Sequence, residues 1–89
     1  MAGWFVYMVR CADGSFYTGI ARDVERRVTE HNQDDRLAAR YTRGRRPVAL
    51  AYAEQVDSRA AAARRELVIK KLNRRSKERL AAGFRVLPF

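Results

Sequence analysis

From Trp4 to Val9 the chain runs apolar without a break, Trp-Phe-Val-Tyr-Met-Val. That pattern suits a central strand covered on both faces. Asp13-Gly14 then gives a strong hairpin signal, and Phe16 to Ile20 is the returning strand. A two-residue loop would pair Arg10 with Tyr17 and throw Tyr7 and Tyr17 onto opposite faces. A three-residue loop, Ala12-Asp13-Gly14 with Gly14 left-handed, pairs Cys11 with Ser15, Val9 with Tyr17 and Tyr7 with Gly19. Both tyrosines then share a face as diagonal neighbours, about 7–8 Å apart. Gly19 leaves open space beside the Tyr7 phenol. The second register is the one expected.

Asp23 is placed to cap a helix that Asn32 closes, with Glu25 in its first turn to suit the dipole. Residues 33–47 form a polar segment longer than a compact connection usually needs. In Val48 to Glu54, Val48, Leu50 and Tyr52 alternate with alanines, predicting a third strand with one closely packed face. A second helix is expected from Ser58 to about Leu72, ended by Asn73 and helped by the alanines at 60–63. Ser76 caps a short third helix that Gly83 stops. The expected architecture is α+β: a small three-stranded antiparallel sheet flanked by about three helices. It forms one domain over residues 1–83, followed by an apolar tail at 84–89.

Three residues break the pattern. Val24 and Val28 make the apolar stripe of the first helix, yet Arg27 and His31 share it at helical spacing. Glu66 falls among Ala62, Ile69 and Leu72 on the second helix. Each has a structural reading: Arg27 paired with Asp23 or Glu30, His31 as a core hydrogen-bonding group, Glu66 paired with Lys70 four residues on. Each also has a functional one, in which they line an anion-binding cleft.

Charge sharpens the second reading. The formal charge is +9, unevenly placed. Residues 1–35 carry four Arg against six acids, while residues 36–89 carry fifteen Arg or Lys against four. This asymmetry suggests a polyanion partner, and arginine's planar fork suits phosphate. Arg40, Tyr41, Arg43, Arg45 and Arg46 in the long segment, and Lys70, Lys71 and Arg74 after it, are the candidate nucleic-acid contacts. Tyr41 among arginines suits stacking on a strand. No run approaches the roughly 18 apolar residues of a membrane span. Cys11 is the only cysteine, so a disulfide framework and a cysteine-built zinc site are excluded. A reduced, cytoplasmic setting is expected.

Taken together, Tyr7, Tyr17-Thr18-Gly19, Arg27, His31 and Glu66 resemble the GIY-YIG nuclease superfamily, and within it the small single-domain UPF0213 proteins. Phe5-Val6-Tyr7 stands where the first tripeptide belongs and Tyr17-Thr18-Gly19 where the second does. Arg27 matches the helix arginine, His31 the residue one turn on, and Glu66 the metal-binding glutamate. Arg40 to Val48 and Glu66 to Leu72 belong to the same likeness, which covers about residues 3–80. The chain departs in carrying Phe-Val for Gly-Ile and Thr for Ile. The asparagine found near the end of many members has only Asn73 as a match.

The resemblance implies hydrolysis of DNA phosphodiester bonds, branched or single-stranded DNA included, with RNA as a further partner class. Glu66 would hold one Mg²⁺ or Mn²⁺, weakly without substrate. Arg27 would face the scissile phosphate, Tyr17 the phosphate or water, and Gly19 would make room. Tyr7 is the family's proposed base, although a phenol pKa near 10 makes it a poor one unless Arg27 or the metal lowers it. His31 is the second base candidate. The other reading is a nucleic-acid-binding module of the same fold with negligible turnover.

Overall fold

A computed structural model describes residues 3–84. Strand β1 (Trp4–Arg10) lies between β2 (Phe16–Ala21) and β3 (Ala49–Val56), in the order β2-β1-β3 and antiparallel throughout. The unbroken apolar run therefore fills the middle of the sheet, where Val6, Tyr7, Met8 and Val9 are all buried. The hairpin takes the three-residue loop. Gly14 adopts φ 85°, and the Cys11 amide donates to the Ser15 carbonyl at 2.8 Å. Tyr7 pairs with Gly19 and Val9 with Tyr17.

Strand alternation splits the core in two. Val6 and Met8 point toward α3 (Arg59–Lys70) and meet Ala62 and Ile69; Phe16, Ile20, Tyr52, Leu72 and Leu80 complete that side. Tyr7 and Val9 point the other way. They pack with Cys11 and Val48, and with Val24 and Val28 of α1 (Val24–Gln33).

Among the described residues four helices flank the sheet, one more than the three or so expected. The added one is the single turn α2 (Arg40–Arg43) inside the long polar segment, where the buried Ala38 and Thr42 draw the chain back onto the core. Asp23 caps α1 by accepting from the Arg26 amide at 3.0 Å. The helix runs past Asn32 to Gln33, because the Asn32 side chain is engaged elsewhere. Its amide donates to the Val48 carbonyl at 2.9 Å, and its oxygen accepts from the Val48 amide at 2.7 Å. Asn73 does not end α3, which stops at Lys70. It caps the last helix, α4 (Arg74–Gly83), by accepting from the Ser76 amide. The cap thus sits three residues before Ser76. Phe84 lies edge-on to Tyr52 with ring centroids 5.8 Å apart. Residues 85–89 of the expected tail fall outside the described residues. Among the described residues no helix is long and apolar enough to cross a membrane.

Candidate functional site

The polar centre of the molecule is built on the α1 side of the sheet. Tyr7 is 1% exposed and His31 fully buried. The Tyr7 hydroxyl lies 2.7 Å from His31 Nε2, and Thr42 Oγ1 lies 2.8 Å from His31 Nδ1. The direction of this chain follows from its far end. The Thr42 hydroxyl donates to the Ala39 carbonyl at 3.0 Å, so its oxygen is left to accept from Nδ1–H. Nε2 is then the lone-pair nitrogen that accepts the Tyr7 proton. The Ala39 amide, 3.5 Å from Nδ1, is too distant to compete.

Gly19 is required by this packing. A Cβ at that position would stand 2.7 Å from the Tyr7 hydroxyl oxygen, closer than van der Waals contact allows. Tyr17, diagonal to Tyr7, sets its ring edge-on to His31 at 5.3 Å and stacks on Tyr41 at 5.9 Å and 26°. Both phenols therefore open on one side of the sheet, converging on one imidazole.

Burial and neighbouring charge push the two buried groups apart. Desolvation raises the Tyr7 phenol well above its ordinary 10, against the pull of Arg27; Tyr17 and Glu66 raise it further. Desolvation and then Arg27 push His31 down to about 4. At neutral pH the pair is a neutral phenol donating to a neutral imidazole. Arg27 Nη1 donates to Glu30 at 3.0 Å and to the Leu37 carbonyl at 2.7 Å, with about a quarter of the side chain exposed. Its partner is thus Glu30; Asp23 is used as the cap.

Glu66 comes from the opposite layer. It sits on the stripe of α3 between Ala62 and Ile69, is ion-paired to Lys70 at 3.5 Å, and is one-fifth exposed. Its charge is felt at the Tyr7 phenol. Among the described residues no three His, Cys, Asp or Glu side chains gather as a metal cage. One hard carboxylate fits an ion that keeps most of its waters and draws other ligands from a phosphate.

The basic candidates divide. Arg40 and Arg43 are exposed on α2, and Lys70 and Lys71 at the end of α3. Arg45 lies over the Tyr41 ring at 3.9 Å and pairs with Asp13. Arg74 is exposed at the start of α4 and pairs with Glu78. Arg46 turns inward: Nε donates to the His31 carbonyl at 2.7 Å and Nη1 meets Asp35 at 2.7 Å, so it fastens the end of α1. Tyr7, Arg27, His31 and Glu66 do not line the concavity between α1 and β3. That concavity, about 710 Å³, is mostly apolar and runs past Val24, Val28, Leu50 and Ala53.

Sequence reasoning missed Thr42. A single threonine in a basic loop carries no periodic signal, and only the return of that loop to His31 gives it a partner.

The GIY-YIG catalytic domain model matches residues 3–79. The UPF0213 protein of Desulfotalea psychrophila is 54% identical over 70 residues, a match spanning 79% of this chain and 63% of that protein. The UPF0213 protein of Halobacterium salinarum is 53% identical over 75 residues, 84% of this chain and 95% of that one. Among solved structures, the solution structure of a UPF0213 protein from Bacillus halodurans shares 41% identity and a TM-score of 0.54, covering 92% of this chain and 84% of its own.

Proposed function

Because the chain belongs to the GIY-YIG catalytic-domain family, we propose that it is a nuclease hydrolysing DNA phosphodiester bonds with the help of one divalent ion. The observation that carries this reading is the 2.7 Å contact between the Tyr7 hydroxyl and His31 Nε2, at a position where Gly19 withholds a side chain.

Water attack on a phosphodiester needs a proton acceptor and neutralisation of charge on the phosphoryl oxygens. Neither buried group serves alone, since the phenol holds its proton too tightly and the imidazole binds one too weakly. Acting together they need no free phenolate. The Tyr7 oxygen takes a proton from the attacking water while its own proton passes to His31 Nε2. Thr42 holds Nδ1–H on the far side of the ring. The water oxygen bonds to phosphorus, and the departing oxygen leaves with a proton from solvent.

Arg27, partly exposed and fixed by Glu30 and the Leu37 carbonyl, presents its remaining N–H groups to the phosphate. Glu66 would hold Mg²⁺ or Mn²⁺, which supplies charge neutralisation when bound. The exposed Arg40, Arg43, Lys70 and Lys71 give the phosphate backbone a non-specific hold.

The test is cleavage of branched, flapped and single-stranded DNA with either ion, by the native chain and by Arg27→Ala and Glu66→Gln. Cleavage by the native chain, lost in both variants while binding persists, is the expected result. Binding without cleavage of any substrate would overturn it and leave the binding-module reading.

A further inference from the structure

The chain's single tryptophan marks a second gathering of charge, at the end of the sheet away from the hairpin. Trp4 opens β1, packs against the apolar core beneath α3, and keeps part of its surface in solvent. Two exposed arginines from separate elements close on its ring. Arg22, just past β2, sets Cζ 5.6 Å from the ring centroid. Arg59, the first residue of α3, sets Cζ 5.8 Å from it. At such distances the ring attracts both cations and restrains two otherwise flexible side chains.

Acids stand close by in sequence, yet none is paired with either guanidinium. Asp23 caps α1, Glu25 lies in the first turn of that helix, and Asp57 precedes Arg59 by two residues. Among the described residues neither Arg22 nor Arg59 makes an ion pair, whereas Arg10, Arg27, Arg65 and Arg74 each have a glutamate. Two like charges gathered on one ring repel each other, and an anion that reaches both offsets that cost. The two guanidinium carbons lie no further apart than the sum of their distances to the ring centre. A nucleic-acid strand carries a charge every ~3.4 Å of its axis, so one strand spans the pair and offers a phosphate to each.

Position ties the pair to the reaction centre. Arg22 follows Gly19, the residue against which Tyr7 packs, by three positions. Arg59 precedes Glu66 on α3 by about two turns, roughly 10 Å of helix axis. Both lie on the elements that carry the proposed chemistry, displaced from it in the same direction, toward the start of β1.

We propose that Arg22 and Arg59, held over Trp4, form a subsite that grips the phosphate backbone of the substrate strand a few nucleotides from the bond that is cut. This deepens the nuclease reading and rests on it for the place of the cut. Trp4 serves as the platform for the two guanidiniums, and its ring is not offered to a base. The contact positions the strand and reads neither its bases nor whether they are paired.

The test is binding without metal, in EDTA, so that it does not depend on turnover. Because Trp4 is the only tryptophan, its emission reports on the subsite directly. The probe is an oligomer of abasic deoxyribose phosphates, which carries the backbone and no base to stack. Titration is expected to change Trp4 emission saturably, and less so as salt is raised. Arg22→Gln and Arg59→Gln are each expected to weaken binding several-fold and flatten the slope of log affinity against log salt by about 0.7. Arg36→Gln removes the same charge from the exposed loop and is expected to leave the Trp4 response in place with a smaller loss of affinity. No Trp4 response, unchanged affinity and slope in both subsite variants, or an equal loss in Arg36→Gln would overturn the subsite, leaving metal-dependent cleavage to its own test. These binding effects intact, with no cleavage by the native chain, would overturn the nuclease reading instead.

Discussion

The two faces of β1 are equally buried and chemically unlike. Toward α3, Val6 and Met8 meet Ala62 and Ile69, hydrocarbon against hydrocarbon. Toward α1, one residue along, Tyr7 meets His31 and through it Thr42, a line of polar groups with little solvent contact. The first face gains stability from the area it removes from water. The second forgoes part of that gain, because each buried polar group must be matched by a partner. The chain keeps three matched polar groups on that face, and it is there that the proposed reaction would sit.

The comparison breaks most visibly if both faces respond alike to mutation. Tyr7→Phe is expected to lower the cleavage rate by about 10²- to 10⁴-fold, and to cost about 1–3 kcal/mol of stability for the partner lost by His31. Ile69→Ala is expected to cost about 2–5 kcal/mol while folded molecules cleave at the native rate. Urea unfolding alongside single-turnover cleavage separates the two. Equal loss of cleavage per folded molecule in both variants would dissolve the distinction.

Acid sharpens it next. His31 is held near 4 in the fold against an ordinary 6.5, by burial first and Arg27 second. On acidification the unfolded chain binds the proton before the folded one does. The stability that goes with neutral His31 is therefore complete above about pH 6.5 and falls as the pH drops toward 4, by up to about 3 kcal/mol. His31→Gln should flatten this window in a series of urea midpoints. A fall of the same size in the variant would assign the acid sensitivity to other groups.

The smallest expected effect tests packing at the polar face. Gly19→Ala should destabilise by about 1–3 kcal/mol, because the Tyr7 hydroxyl must move aside. The shift should appear as a changed His31 side-chain NMR signal, with the hydrophobic face unaltered.

The hairpin, its register and the shared face of Tyr7 and Tyr17 were legible because each rests on short-range chemistry: a left-handed glycine and strict alternation along a strand. The anomalous Arg27, His31 and Glu66 were legible as breaks in helical periodicity, and their structural partners came out as Glu30, Tyr7 with Thr42, and Lys70. What escaped were contacts between distant segments. Asn32 reads as a helix end until Val48 arrives to occupy it. Arg46 reads as one more surface cation until the His31 carbonyl claims it. Asn73 takes the cap expected of Ser76 because capping depends on which residue leaves helical geometry, and three residues decide that.

The double grip of Asn32 on the backbone of Val48 fastens residues 33–47 at their root, so the loop closes on itself whatever its outer arc contains. Lengthening such a loop costs only about 0.6 kcal/mol per doubling. On the proposed nuclease reading, target preference is then rewritten on the rim while the bond-breaking chemistry stays locked at the hub.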